Sequence, residues 1–268
     1  MPYSSVNGVR TYYETAGEGP ALVLLHAMPF DLTLWRYQIA HFSARFRVIA
    51  LDCRAHGRSD PVTTPYVLAD LAQDVLAVCR AEGVETAVLA GISVGSRIAL
   101  QTVLDHPQTF SAVVLVGSGA KPSGSMDRRI AEYGALDGDA AAFAAYRRAH
   151  LEFGVSTPFA KSARGRYLIE SFAERSGRMR PAAMVELFRA FGHVDLSGRL
   201  GEINIPALVI NGEHDNALAS GRWTAERIAG AVHAVLPDAG HACNLEDPAV
   251  FDTFVSDFLD RHGLLPGL

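Results

Sequence analysis

The stretch Val88-Leu89-Ala90-Gly91-Ile92-Ser93-Val94-Gly95-Ser96-Arg97-Ile98-Ala99-Leu100 decides how the chain is read. It begins as a short apolar run of strand length, turns sharply between Gly91 and Gly95, and resumes with apolar residues at helical spacing. One serine sits at the apex. A Gly-x-Ser-x-Gly pattern carries chemical meaning only in this strand-turn-helix setting, where the turn lifts the hydroxyl to the top of the sheet. Gly91, Gly95 and the small Ser96 suit such a turn, because larger side chains would collide with the neighbouring strand and helix. Glycine and serine are common residues, so the pattern alone is weak and partners elsewhere must complete it.

Working outward, Ala21-Leu22-Val23-Leu24-Leu25, Phe46-Arg47-Val48-Ile49-Ala50-Leu51, Ala112-Val113-Val114-Leu115-Val116, Ile205 to Asn211 and His233 to Leu236 read as further strands. Their nearly continuous apolar runs mark strands covered on both faces, as in a parallel sheet. Helical patterns alternate with them: Leu34 to Phe42, Leu68 to Cys79 ending near Gly83, and a last stripe of Val250, Phe251, Phe254, Val255, Phe258 and Leu259. Val6-Asn7-Gly8-Val9 predicts a tight hairpin, and therefore an antiparallel edge. The predicted class is α/β, with a mostly parallel central sheet flanked by helices.

The rhythm breaks between Lys121 and Arg199, where helical patterns continue without an apolar strand. Phe143, Tyr146, Phe153, Phe159, Phe172, Phe188 and Phe191 make this segment too apolar for a linker. The expected organisation is a core of residues 1–120 and 200–268 with an inserted helical lid at 121–199. That lid carries 13 Lys and Arg against 9 Asp and Glu, whereas the whole chain has a net charge of -5. A cationic cap over a closed site favours a carboxylate-bearing substrate. The candidates to hold it are Arg128, Arg129, Arg147, Arg148, Arg164 and Arg189, although arginines on solvated outer helix faces give the same count.

At 268 residues with 20% charged side chains, the chain can bury a sizeable core without staples. The net negative charge gives no reason to expect nucleic acid or an anionic membrane as partner. No basic segment followed by an apolar run opens the sequence and no run of about eighteen apolar residues occurs, so a cytoplasmic protein is expected. Cys53, Cys79 and Cys243 are odd in number and lack metal-type spacing, which fits reduced thiols. No cofactor and no metal is called for. Cys243 reads as a small buried filler.

A serine hydroxyl is a poor nucleophile at neutral pH. It needs a histidine to take its proton and a carboxylate to fix that histidine's tautomer. Asp215, in Gly212-Glu213-His214-Asp215, follows one late strand, and His241, in Asp238-Ala239-Gly240-His241, follows the next. The order Ser93, Asp215, His241 suits this architecture. Glu213 and Asp195 are competing carboxylates, while the exit of the preceding strand, Gly117-Ser118-Gly119, offers none. The oxyanion donors are expected to be the N–H of Val94, at a helix N-terminus, and the N–H of Met28, in the loop after the Leu22 to Leu25 strand. His26 and His56 read as structural hydrogen-bonders at loop corners.

Taken together, His26-Ala27-Met28-Pro29, Asp52-x-Arg54-x-His56-Gly57-x-Ser59, Gly91-x-Ser93-x-Gly95, Gly212-Glu213-His214-Asp215 and Gly240-His241 resemble the α/β-hydrolase superfamily. The nearest branch is that of bacterial esterases, enol-lactonases and cofactor-free haloperoxidases. The resemblance spans nearly the whole chain except the lid. It implies a Ser93-His241-Asp215 triad under a helical cap. Two departures stand out: family members commonly have glycine at the position of Ala27, and Arg-Gly-His-Gly in place of Arg54-Ala55-His56-Gly57.

A serine rather than an aspartate at the apex argues against haloalkane dehalogenases and epoxide hydrolases of the same fold. The expected reaction is hydrolysis of a small carboxylic ester or lactone through an acyl-enzyme. Carbon–carbon bond hydrolysis of ring-cleavage products, cofactor-free perhydrolysis, and a ligand-sensing receptor with a slow triad are the alternatives. The oligomeric state is not legible.

Overall fold

The computed structural model describes residues 3–122 and 124–267. Two short strands, β1 (Tyr3–Val6) and β2 (Val9–Ala16), form an antiparallel hairpin whose turn residues Asn7 and Gly8 have φ of 52° and 78°. The strands β3 (Ala21–Leu25), β4 (Arg47–Leu51), β5 (Ala87–Ile92), β6 (Phe110–Val116), β7 (Ala207–Gly212) and β8 (Val232–Leu236) run parallel to one another. Among the described residues they make one eight-stranded sheet in the order β1-β2-β4-β3-β5-β6-β7-β8, so β3 and β5 lie at its middle.

The helices are α1 (Arg36–Phe42), α2 (Leu68–Ala81), α3 (Val94–Asp105), α4 (Met126–Ala135), α5 (Ala140–Phe153), α6 (Thr157–Lys161), α7 (Ala163–Arg175), α8 (Pro181–Phe191), α9 (Leu218–Ala225), α10 (Cys243–Glu246) and α11 (Pro248–Arg261). Five of them, α4 to α8, fall between β6 and β7.

The apolar runs are continuous because each strand feeds two cores. On β3, Val23 and Leu25 enter one cluster and Leu22 and Leu24 the other; on β6 the same division separates Val113 and Leu115 from Val114 and Val116. The helices α2 and α3 cover the first face and α1 and α11 the second. The α4 to α8 segment contributes to both, with Tyr133 and Phe188 in one and Leu151 and Phe172 in the other. Of its aromatic residues, Phe153 and Tyr167 depart from the buried role, being 67% and 69% exposed.

Two of the boundaries that differ from the sequence reading have a plain local cause. The helix expected from Leu34 starts earlier, as a 3-10 turn over Leu32–Trp35, because the Asp31 carboxylate caps it by accepting the Thr33 N–H at 2.9 Å. The strand expected from Ile205 starts at Ala207, since Pro206 has no N–H to give the ladder, although its carbonyl accepts the N–H of Val113 at 3.0 Å.

At the centre, α3 is pressed onto the backbone leaving β3. A Cβ added at Gly95 would lie 2.7 Å from the His26 carbonyl oxygen and closer still to that of Leu25; one added at Gly91 would strike the backbone of Gly95. Gly95→Ala is therefore expected to cost about 2–3 kcal/mol of stability, since backbone rather than a flexible side chain must give way. A drop in the urea midpoint without a change in slope checks this.

Candidate active site

Ser93 stands at the junction of β5 and α3 with φ 55° and ψ −113°, a left-handed conformation for a residue with a side chain. Such backbone costs on the order of 1–3 kcal/mol and persists only where the surroundings enforce it. Here the Ser93 N–H donates to the Val116 carbonyl at 2.8 Å and its own carbonyl accepts the Arg97 N–H at 3.1 Å. Ser93 lines a cavity of about 440 Å³ together with Met28, Val94, Arg97, Arg129 and His241.

On the same wall, His241 Nδ1 donates to Asp215 Oδ1 at 2.8 Å. Burial alone would push the Asp215 carboxyl up. The hydrogen bond and charge of His241, the Ala217 N–H at 2.9 Å and the Asn211 amide at 2.9 Å outweigh that and hold it below its ordinary value. An ionised Asp215 keeps the proton on Nδ1, which leaves Nε2 able to accept one. Gly117 makes room for the pair: a Cβ there would lie 2.9 Å from His241 Cε1 and 3.3 Å from Asp215 Oδ2. The competing carboxylates are elsewhere. Glu213 is exposed and accepts the Asp238 N–H at 3.0 Å, and exposed Asp195 accepts the Ser197 N–H at 2.8 Å.

The loops carrying Met28 and Arg54 are tied to each other. The ring of His26, wholly buried, accepts the Cys53 N–H on Nε2 at 2.9 Å. Asp52 accepts the N–H groups of Leu32 and Arg58, each at 2.8 Å. His56 packs edge-on against His26 and donates from Nδ1 to the Arg54 carbonyl at 2.9 Å. Arg54 makes a two-pronged contact with Asp74, at 2.5 and 2.9 Å. Of the two departures from the family pattern, Ala27 is not among the residues with positive φ, so glycine is not required there. Ala55 does adopt φ 68°, the region that favours glycine, with its methyl buried.

Three residues that sequence reading passed over prove important to the geometry. Asn211, wholly buried, orients Asp215 from four positions upstream. Glu246 accepts the N–H of Gly240 at 2.8 Å and both the N–H and hydroxyl of Ser156, so one carboxylate joins the His241 loop to the α5–α6 connection. Arg97, one helical turn after Ser93, donates to the carbonyls of Gly119, Lys121, Phe191 and Val194. Its spacing from Ser93 was the available signal; Asn211 and Glu246 gave none, because their partners are set by tertiary contact.

The six arginines singled out in the 121–199 segment divide sharply. Arg128 pairs with Glu132, Arg148 with Glu152 and Glu170, and Arg189 with Glu186. Arg147 donates to Ser176 and Arg164 to the Glu246 carbonyl. Only Arg129 of the six lines the cavity. Among the described residues one grouping of metal-ligating type occurs, Glu213, His214 and Asp238; all three are exposed and lie outside the cavity lining. None of the described helices is long and apolar enough to cross a membrane.

Residues 20–248 match the family described as the alpha/beta hydrolase fold. The chain belongs to that family. It is 28% identical over 264 residues to 3-oxoadipate enol-lactonase 2 of Acinetobacter baylyi, covering 93% of this chain and 92% of that one. It is 32% identical over 262 residues to a candidate carbamate hydrolase, RutD, of Variovorax paradoxus, covering 93% and 96%. The solved enol-lactonase of Burkholderia xenovorans LB400 superposes with a TM-score of 0.88 at 29% identity, covering 97% and 100%.

Burial above all, with the His26 ring packed beside it contributing, drives the His56 imidazole down to about 3. The folded state thus refuses a proton that the unfolded chain accepts below about pH 6.5. This share of stability is complete above that value and is lost as pH falls toward 3. His56→Asn is expected to remove a slope of about 1.4 kcal/mol per pH unit in that window, read from urea midpoints measured between about pH 4 and 6.5.

Proposed function

We propose that this protein hydrolyses a small carboxylic ester or lactone through an acyl-enzyme formed on Ser93. The observation that carries the reading is the buried Asp215 holding His241 by Nδ1 on the wall of the cavity that Ser93 lines. In this reading His241 Nε2 takes the Ser93 proton as the hydroxyl oxygen attacks the carbonyl carbon. The N–H groups of Val94 and Met28 then receive the negative charge on the carbonyl oxygen. Collapse of the tetrahedral intermediate expels the alcohol, protonated by His241, and a water activated by the same imidazole releases the acid.

Residues 121–199 act as the cap over a core made by 1–120 and 200–268. The enol-lactonase relatives support the lactone side of the substrate range. The substrate carries a carboxylate, since the cavity lining includes Arg97, Lys121 and Arg129 and no Asp or Glu. Three buried, unpaired cysteines fit a cytoplasmic setting.

Ser93→Ala is expected to lower kcat by about 10⁴ or more while leaving the thermal transition in place. A rapid burst of 4-nitrophenol from 4-nitrophenyl acetate, stoichiometric with enzyme, would be seen with the native protein and not with the variant. Near-normal turnover by the variant would overturn the nucleophile. Binding without turnover in the native protein would favour a receptor.

Asp215→Asn is expected to cost on the order of 10⁴ in kcat, because the amide no longer fixes the imidazole tautomer. Glu213→Gln and Asp195→Asn, both outside the cavity, should stay within about twofold of the native rate. An equal loss at Asp195 would reassign the acid.

A further inference from the structure

The three cations around the cavity are not equivalent. Arg97 is buried, and its guanidinium is spent on four backbone carbonyls, holding the exit of β6 against the end of the α4 to α8 segment. Lys121 is exposed, with its ammonium 4.2 Å from the centre of the Trp223 ring. Arg129, on α4 and half-buried, has a different partner: its Nη1 donates to Nε2 of His150 on α5, and both residues line the cavity.

An imidazole that accepts from a guanidinium is neutral. Burial and the Arg129 charge keep His150 so, lowering it to about 4. The contact uses part of a five-donor fork and neutralises none of its charge. Arginines on helices usually find a carboxylate, as Arg128 next door finds Glu132 at 3.6 Å. Among the described residues Arg129 makes no ion pair, and its fixed acceptor is a neutral ring at the cavity wall. A guanidinium aimed by one neutral contact, with donors to spare, suits two-point recognition of a carboxylate.

We infer that Arg129, aimed by His150, is the residue that selects the substrate, binding the free carboxylate of an acyl chain whose other end is the ester or lactone attacked by Ser93. Arg129 is the specificity-determining residue and His150 a positioning residue. The inference rests on the hydrolase reading for the reacting end of the substrate, and on the Arg129–His150 contact for the other.

The test compares kcat/KM for mono-(4-nitrophenyl) glutarate with that for its neutral methyl ester, which differ only in the carboxylate. The native protein is expected to favour the charged ester by about tenfold or more, and less at high salt, because direct charge pairing is screened. Arg129→Gln should bring the ratio close to one through KM for the charged ester. Arg128→Gln removes the same charge one position away, outside the cavity, and should leave the ratio intact. His150→Phe should lower the ratio while Arg129 is still present. His150→Gln, whose amide oxygen can accept from the guanidinium, should keep most of it, an outcome that mere packing would not produce.

A native ratio of one or below, no change in Arg129→Gln, or an equal fall in Arg128→Gln would each overturn the assignment. Should the native protein hydrolyse neither ester, calorimetric titration of glutarate into Ser93→Ala decides. Binding that disappears when Arg129→Gln is added sustains the carboxylate site while the hydrolase reading falls. No binding overturns the site as well.

Discussion

Everything at the site follows from two segments of backbone lying closer together than any side chain would allow. The first turn of α3 rests on the carbonyls that close β3, and only glycine at 95 lets it do so. That approach forces the chain to reverse within one residue after β5, and the residue at the reversal, Ser93, takes a left-handed conformation. The same geometry puts the start of α3, with unpaired N–H groups pointing out along its axis, beside the loop that carries Met28. A hydroxyl at the apex and a helix start beside it are thus consequences of one steric fact. The strain at Ser93 is small beside the burial on both faces of the sheet, and the hydrogen bonds to Val116 and Arg97 hold it in place.

The rim of the sheet is kept rigid by buried polar groups rather than by apolar packing. Asp52, His26, His56 and the Arg54–Asp74 pair are all sequestered, and burying such groups is costly unless each finds partners. Apart from His56 Nε2, which has no partner among the described residues, they find them mainly on backbone N–H and carbonyl groups of the two loops after β3 and β4, which otherwise would have no regular ladder to satisfy them. This explains why a loop can accept alanine at position 55 in a glycine-favouring conformation. The surrounding hydrogen bonds fix the backbone, and a penalty of about 1–2 kcal/mol is absorbed by a buried methyl and a stiffer unfolded chain.

Much of this was legible in the sequence because it is local. Apolar runs of five or six residues gave the strands, an Asn-Gly pair gave the hairpin, and a serine between two glycines gave the turn. The position of Asp215 was readable too, since the end of a parallel strand dictates where its loop emerges. What escaped is what depends on contacts between distant segments: Asn211 behind Asp215, Glu246 beside His241, and the sorting of six arginines that a charge count treats alike. A net charge of a segment records how many cations it holds. Only the fold determines that one of them meets a histidine on the cavity wall while the others meet acids, a serine or a carbonyl.

The carboxylate of Glu246 couples two parts of the molecule that the chain keeps 90 residues apart. One oxygen serves the Gly240 N–H, just ahead of His241, and both serve Ser156, at the turn between α5 and α6; the Ala242 N–H adds a second tether at 2.7 Å to the Gly154 carbonyl. The α5–α6 turn is thereby pinned to the backbone on either side of His241. One carboxylate thus does for these two loops what a ladder does for strands: it fixes their spacing through hydrogen bonds to backbone N–H groups.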